Sequence, residues 1–308
     1  MKKAKSARRE SGAGPWSDNN VTFTVVGDVN IDLAFQIPHL PPADGDVESK
    51  KYVVEFGGTA LNTALHLKKL GTKVSLLACV GNDQWGDLVT AHAKKEALNV
   101  RFFQTKENTG VCIVMETSSN RHLVTYRGAN AALERHLPDL LSHVIEGEWV
   151  HFSSTTPSFV VAALDILHKR GCVVSYDPGG IQVKNIDSEA SDVLKDLDYL
   201  FLNNEEFRRL EKQRSIISPR RLVVKSGANG AKYFDAKVTL SVQPEHHVKG
   251  PSKGAGDAFD AAFIACMALF RDPTVCLRCA VTYATSYLLG GVEGEADFLG
   301  SCRGVDRE

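Results

Sequence analysis

From residue 149 onward the chain alternates short apolar runs with helix-compatible segments, and this alternation limits the fold more tightly than any other feature. Residues 149–152, 173–177, 199–202 and 222–225 read as strands, with helices at 159–170, 188–195 and 205–212 between them. Such a pattern calls for a mostly parallel sheet covered by helices on both faces. The N-terminal part starts the same way. Residues 21–29 form a continuous apolar run through Gly27-Asp28, a buried strand whose C-terminal end carries Asn30 and Asp32. Strand ends of this kind are where α/β proteins bind ligands. A helix at 59–70 closed by Gly71, a strand at 74–80 and a helix at 83–98 follow. Two β-rich pieces break the alternation, at about 34–55 and 100–127, and are expected to pair into a small separate sheet.

A chain of 308 residues, 43% hydrophobic and 24% charged, has enough apolar surface for one full-sized core. Its net charge of −1 gives no basis for a nucleic-acid partner. Basic residues cluster only in the tail from Lys2 to Arg9, and residues 1–20, polar and rich in small residues, are expected to be disordered; residues 301–308 are read as a short tail. No signal-peptide core or membrane-spanning run is present. Seven cysteines, an odd number in a long chain, point to a cytoplasmic protein without a disulfide framework. Cys276 and Cys279 form a C-x-x-C inside a helical stretch, with no second pair at zinc-binding spacing, and read as core thiols.

The chemistry concentrates in Gly254-Ala255-Gly256-Asp257-Ala258-Phe259. Two glycines let backbone N–H groups converge on an anion, and the helix that follows adds its positive end. Asp257, in the first turn, is placed to take a proton from an attacking hydroxyl. Taken alone, the segment is also an ordinary strand-to-helix turn with an acidic N-terminal residue.

Three separated stretches together resemble the ribokinase-like (PfkB) carbohydrate kinases. Glu55-Phe56-Gly57-Gly58-Thr59-Ala60-Leu61-Asn62 is similar to the family's N-terminal glycine-pair signature, Asn203-Asn204-Glu205-Glu206 to its N-x-x-E element, and Gly254 to Phe259 to its C-terminal signature. The resemblance spans roughly residues 21–295. It implies a three-layer α/β sandwich over about 21–300, in which the two β-rich pieces form a lid that closes over the acceptor and is a possible homodimer surface. It implies transfer of the terminal phosphoryl group of ATP, with Mg²⁺, to a hydroxyl of a sugar or nucleoside; some relatives use ADP. Asn30, Asp32, Gly57, Gly58, Asn62 and Arg127 would bind the acceptor, and Asp257 would be the base. Gly254, Ala255 and Gly256 would hold the migrating group. Asn203, Lys225, Gly227, Gly230, Gly254 and Gly256 would face the nucleotide, and Glu206 would act on Mg²⁺ through water. Asn203 with Glu206 also reads as a helix capping box, and Lys225 as either a phosphate contact or a solvated charge.

Two departures from the family stand beside the C-terminal signature. Pro251 replaces an Asp that belongs to a monovalent-cation site in ribokinases, so little dependence on potassium is expected, and Lys253 brings a positive charge towards the phosphates. Other classes fit less well. Gly250-Pro251-Ser252-Lys253-Gly254 matches the serine-hydrolase elbow, yet no histidine follows Ser252. P-loop and dinucleotide fingerprints are missing. Glu245-His246-His247 reads as a solvated loop rather than a metal site. A non-catalytic sugar or nucleoside sensor would have no need of Asp257 beside a phosphate cradle. The acceptor stays open between a free sugar, a nucleoside and a sugar phosphate such as ribose 1-phosphate or a fructose phosphate. Arg127, Arg101, Lys50 and Lys51 are candidates to reach a phosphate, and Phe102, Phe103 and Tyr52 to stack on a base.

Overall fold

The computed structural model describes residues 21–118, 120–212, 219–246, 248, 253–290 and 302. The first half runs β1 (Thr22–Gly27), β2 (Asn30–Gln36), β3 (Lys51–Gly57), α1 (Thr59–Lys69), β4 (Lys73–Gly81), α2 (Gln84–Lys95), β5 (Asn99–Thr105), β6 (Gly110–Glu116) and β7 (Arg121–Tyr126). After a 3₁₀ segment come α3 (Leu137–His143), β8 (Trp149–Ser153), α4 (Pro157–Lys169), β9 (Val173–Asp177), α5 (Gly179–Gln182) and α6 (Ser188–Leu194). The last part is β10 (Tyr199–Asn203), α7 (Asn204–Lys212), β11 (Arg221–Lys225), β12 (Ala231–Asp235), β13 (Thr239–Val242), α8 (Ala255–Phe270) and α9 (Pro273–Leu288).

The large sheet is 9-stranded, in the order β13-β12-β11-β10-β9-β8-β1-β4-β5, parallel except for the β12 and β13 edge. Side chains alternate across a strand, so each central strand feeds two cores. Val25 and Leu76 pack with α1, α8 and α9 on one face, while Val26 and Leu77 pack with α3, α4 and Leu210 of α7 on the other. This is the three-layer sandwich that the alternation called for. Sequence chemistry sets the helix starts: Asp83 accepts from Gly86 N at 2.8 Å ahead of α2, and Asp272 accepts from Thr274 N at 2.7 Å ahead of α9.

A 4-stranded sheet, β3-β2-β6-β7, stands apart from the large one. Its two hairpin-like pairs are antiparallel and its central β2–β6 pair is parallel. Opposed residues share a face. Asp32 lies opposite Cys112, and Cys112 opposite Thr125, and this row faces the cleft; Leu33, Val54, Ile113 and Val124 form a row on the reverse face.

Several expectations need correcting. β5 pairs in parallel with β4 in the large sheet, so the second lid piece begins at Gly110, not near residue 100, and the first reaches back to Asn30. Arg101, Phe102 and Phe103 therefore sit on the large sheet; Phe103 is buried and stacks on His136. Tyr52 packs against Phe35, with ring centroids 5.1 Å apart and the planes tilted by 33°, on the small sheet's reverse face, away from the cleft. Cys276 is a free buried thiol, but Cys279 of α9 is bonded to Cys302; Cys302 is buried although it falls in the expected 301–308 tail. No described helix is long and apolar enough to cross a membrane.

Candidate active site

A cleft of about 960 Å³ lies at the carboxyl edge of the large sheet, under the small sheet. Its position follows from topology, since parallel strands deliver their C-terminal residues to one edge. That edge supplies Asp28 after β1, Ser154 after β8, Asp177 of β9, Asn203 of β10 and Lys225 of β11.

Asp257 stands in the first turn of α8 at the floor of the cleft. The helix is preceded by Gly254 at φ 75, a left-handed conformation in which a Cβ would also lie 2.8 Å from the Tyr287 hydroxyl. With that turn, the N–H groups of Ala255, Gly256 and Asp257 are first-turn amides without helical partners, free to bind an anion. Asn62 of α1 donates its amide to Asp257 Oδ2 at 2.8 Å. Burial raises the Asp257 pKa to about 7, against the opposing effects of the Asn62 hydrogen bond and the Lys225 charge. A carboxyl so tuned can accept a proton near neutral pH.

One half of the cleft is polar and neutral on balance. Asn30 accepts from Asn130 Nδ2 at 2.8 Å, which fixes its amide beside Asp32. Gly57 lets β3 cross close to Asp32, whose carboxyl would be 2.6 Å from a Cβ there, and Gly58, at φ 96, passes equally close to the Asp28 carbonyl. Arg127 pairs with Asp28 at 3.3 Å and reaches the Ser154 carbonyl at 3.4 Å. Burial holds Asp28 up at about 6 despite Arg127. Lys253 turns away from the phosphate cradle, towards Asp32 at 3.0 Å and Glu55 at 2.5 Å, so it bridges the α8 turn to the lid.

The other half is built for an anion and a hard cation. Asn203 and Glu206 make the full capping box: Asn203 Oδ1 accepts from Glu205 N and Glu206 N, both at 2.9 Å, and Glu206 Oε2 accepts from Asn203 N at 2.8 Å. Glu206 Oε1 faces Gly180, where a Cβ would lie 3.9 Å away. Burial and then Asp177 raise Glu206 to about 7. Carboxylate oxygens of Glu206 and Asp177 together on the cleft wall are the donor type that Mg²⁺ and its waters prefer, so the residues fit that ion. Lys225 is not a solvated charge. Its ammonium is bound to Asp177 at 2.5 Å and to Asp260 at 2.8 Å. Gly227 opens the 3₁₀ turn from β11 to β12 at φ 56 with free space on its cleft side, whereas Gly230 is there for packing, since a Cβ would strike the Val242 carbonyl.

The cleft thus gathers the residues expected for catalysis, acceptor, nucleotide and Mg²⁺, Ala255 included, except Gly57, which acts from behind Asp32; Arg101, Lys50, Lys51, Phe102, Phe103 and Tyr52, the further candidates for a phosphate or a base, lie outside it. Asp28, Asp177, Ser154 and Thr125 on the wall, and Asp260 buried behind Lys225, are additions that sequence reasoning missed. Asp28 and Asp177 carried a signal, each being an acidic residue at the end of an apolar run, Asp28 directly after Gly27 and Asp177 directly before Pro178-Gly179. The expectations for residues 1–20, for Pro251 and Ser252, and for His247 lie outside the described residues.

Known proteins can now be compared. The profile of the pfkB family carbohydrate kinases matches residues 22–288. The chain belongs to that family. Within it, a nucleoside kinase of Methanocaldococcus jannaschii is 24% identical over 252 residues, covering 79% of this chain and 82% of that protein. An ATP-dependent ribose-1-phosphate kinase of Halopiger xanaduensis is 27% identical over 250 residues, covering 78% and 82%. Among solved structures, the Thermotoga maritima ribokinase superposes with a TM-score of 0.76 at 20% identity, over 92% of this chain and 99% of that one. The pfkB kinase fold, a large mostly parallel sheet with a small sheet beside it, is the fold of this protein.

Proposed function

We propose that this pfkB kinase moves the terminal phosphoryl group of ATP, with Mg²⁺, onto a hydroxyl of an unphosphorylated sugar or nucleoside. The observation that carries the reading is Asp257, held by Asn62 and tuned to about 7, between an acceptor half and an anion half of one cleft. Asp32 and Asn30 would take the acceptor's hydroxyls, and Asp257 would remove the proton from the attacking one. The amides of Ala255, Gly256 and Asp257 would hold the group in transit, with Lys225, Asn203 and Gly227 along the donor. Mg²⁺, held through water by Glu206, would neutralise donor phosphate charge.

Pairing argues for the uncharged acceptor. Arg127 is spent on Asp28, and Lys253 on Asp32 and Glu55, so the acceptor half offers little unbalanced positive charge to a substrate phosphate. The second reading, a sugar-phosphate kinase, is favoured by Arg121, which lines the cleft with only a 4.0 Å pairing to Glu116, and by the similarity to a ribose-1-phosphate kinase. The reverse face of the lid, with Tyr52, Val124 and Tyr126 at 53%, 55% and 53% exposure, supports a homodimer through the small sheet. A cytoplasmic place suits the free thiols at Cys79, Cys112, Cys172, Cys266 and Cys276.

A screen of free sugars, nucleosides and sugar phosphates against ATP and ADP, with and without Mg²⁺, tests the reading. It is expected to find Mg²⁺-dependent turnover of a free sugar or nucleoside with ATP. Efficient turnover of a sugar phosphate alone would put the second reading first, and tight acceptor binding without turnover by either donor would make the protein a sensor.

A further inference from the structure

Proton transfer to Asp257 leaves a buried charge cluster beside it unexplained. Lys225 Nζ lies 2.5 Å from Asp177 Oδ2 and 3.0 and 2.8 Å from the two oxygens of Asp260. Asp260 is 1% exposed, and it follows Asp257 by three residues on α8, so the base and the lysine's anchor rise from the same side of one helix. Burying such charges is poor economy for stability, because an apolar trio of equal volume would hold the fold as well or better. Yet two of its three members, Asp177 and Lys225, line the cleft, with Asp260 buried behind them. A Cβ on Gly256 would lie 3.5 Å from Lys225 Nζ, which puts the ammonium against the very backbone whose amides open towards the phosphoryl path.

We infer that Lys225 is the fixed cation that meets the migrating phosphoryl group, that Asp260 is its positioning residue, and that Asp177 is the partner that yields when the donor's terminal phosphate arrives. This deepens the kinase reading and rests on it. The two carboxylates play different parts because of where they stand. Asp260 grips the ammonium with both oxygens from within α8, whereas Asp177 holds it with one, its other oxygen accepting from Gly179 N at 2.8 Å on the cleft wall. A phosphate oxygen entering from the cleft can replace the single contact and leave the double one intact. As the bond to the leaving group lengthens, its electron pair goes to the departing oxygen and the charge of the group in transit spreads over its three equatorial oxygens, where a preorganised ammonium stabilises it without reorganising. Lys225 keeps its proton throughout: burial would lower its pKa, but Asp177 and Asp260 hold it above the usual lysine range. No covalent bond to the lysine forms or breaks.

The test compares wild type with Lys225→Met, with the charge-balanced double variant Lys225→Met/Asp260→Asn, and with Asp260→Asn. The double variant removes the ammonium together with the carboxyl that grips it with both oxygens, so it leaves one buried carboxyl, Asp177, without its cation where Lys225→Met alone leaves two. Both Met variants are expected to lose about 10²–10³ in kcat, the cost of removing one preorganised donor to developing charge, while acceptor KM changes less than about threefold. Asp260→Asn should lose about tenfold in kcat with the same small change in acceptor KM. A calorimetric arm separates this inference from the kinase reading: a non-hydrolysable ATP analogue should lose at least about tenfold more affinity than ADP in the Met variants, since only the analogue carries the terminal phosphate. A double variant with kcat within threefold of wild type, or equal weakening of analogue and ADP, would overturn the assignment. If wild type transfers to no acceptor, the kinase reading falls, and the calorimetric comparison alone still decides the role of Lys225.

Discussion

At the scale of single residues, several of the site's buried polar groups are paired with partners remote in sequence. Asn62 and Asp257 are 195 residues apart, and Lys225 stands 48 and 35 residues from Asp177 and Asp260. This explains what the sequence could and could not reveal. Gly254 to Asp257 and Asn203 to Glu206 were legible because a positive-φ turn and a capping box are local chemistry. Asp260 was not, since a carboxylate one turn into an alanine-rich helix gives no sign of its lysine. The raised pKa of Asp257 has a consequence for stability. A carboxyl whose folded pKa stands at about 7, above its unfolded value of 3.8, contributes stability below about pH 4 that is lost as the pH rises through 7. Asp28 at about 6 and Glu206 at about 7 act in the same direction. Asp257 is half-buried, so solvent screening keeps its share to about 1–2 kcal/mol. The Tm advantage of Asp257→Asn over wild type should therefore be larger at pH 8 than at pH 5. An equal difference at both pH values would show that the carboxyl is not desolvated.

At the scale of elements, the small sheet has two faces with different work. Its polar row over Asp32, Cys112 and Thr125 roofs the proposed acceptor half, while Val54, Ile113 and Val124 leave an apolar row outside, with Leu33 packed against the main core. Alternation in the sequence was enough to foresee a separate β unit, because period-2 patterning is a strand property. It was not enough to assign β5, whose apolar residues could have packed on either sheet. Parallel pairing with β4 is a long-range choice made by the core around Val100 and Phe103. The proposed homodimer through the outer face has a direct check. Val124→Glu, at a position 55% exposed, should leave the monomer folded and convert a dimer to monomer by light scattering. A wild-type protein that is monomeric at tens of micromolar, or a variant dimer of undiminished stability, would remove the lid from the interface.

At the scale of the whole molecule, one sheet edge brings together the residues proposed as proton acceptor, anion cradle and acceptor wall, and the small sheet stands over them. Lys253 ties these bodies, linking the α8 turn to Asp32 of β2 and Glu55 of β3. The central claim is that this assembly performs phosphoryl transfer with Asp257 as the base. The most direct measurement is kcat of Asp257→Asn with the acceptor saturating. The amide is nearly isosteric and can still accept from Asn62, so folding and acceptor binding should persist. Loss of the base should lower kcat by about 10²–10⁴. Retention of more than about a tenth of wild-type turnover would contradict the account and move the proton to another group.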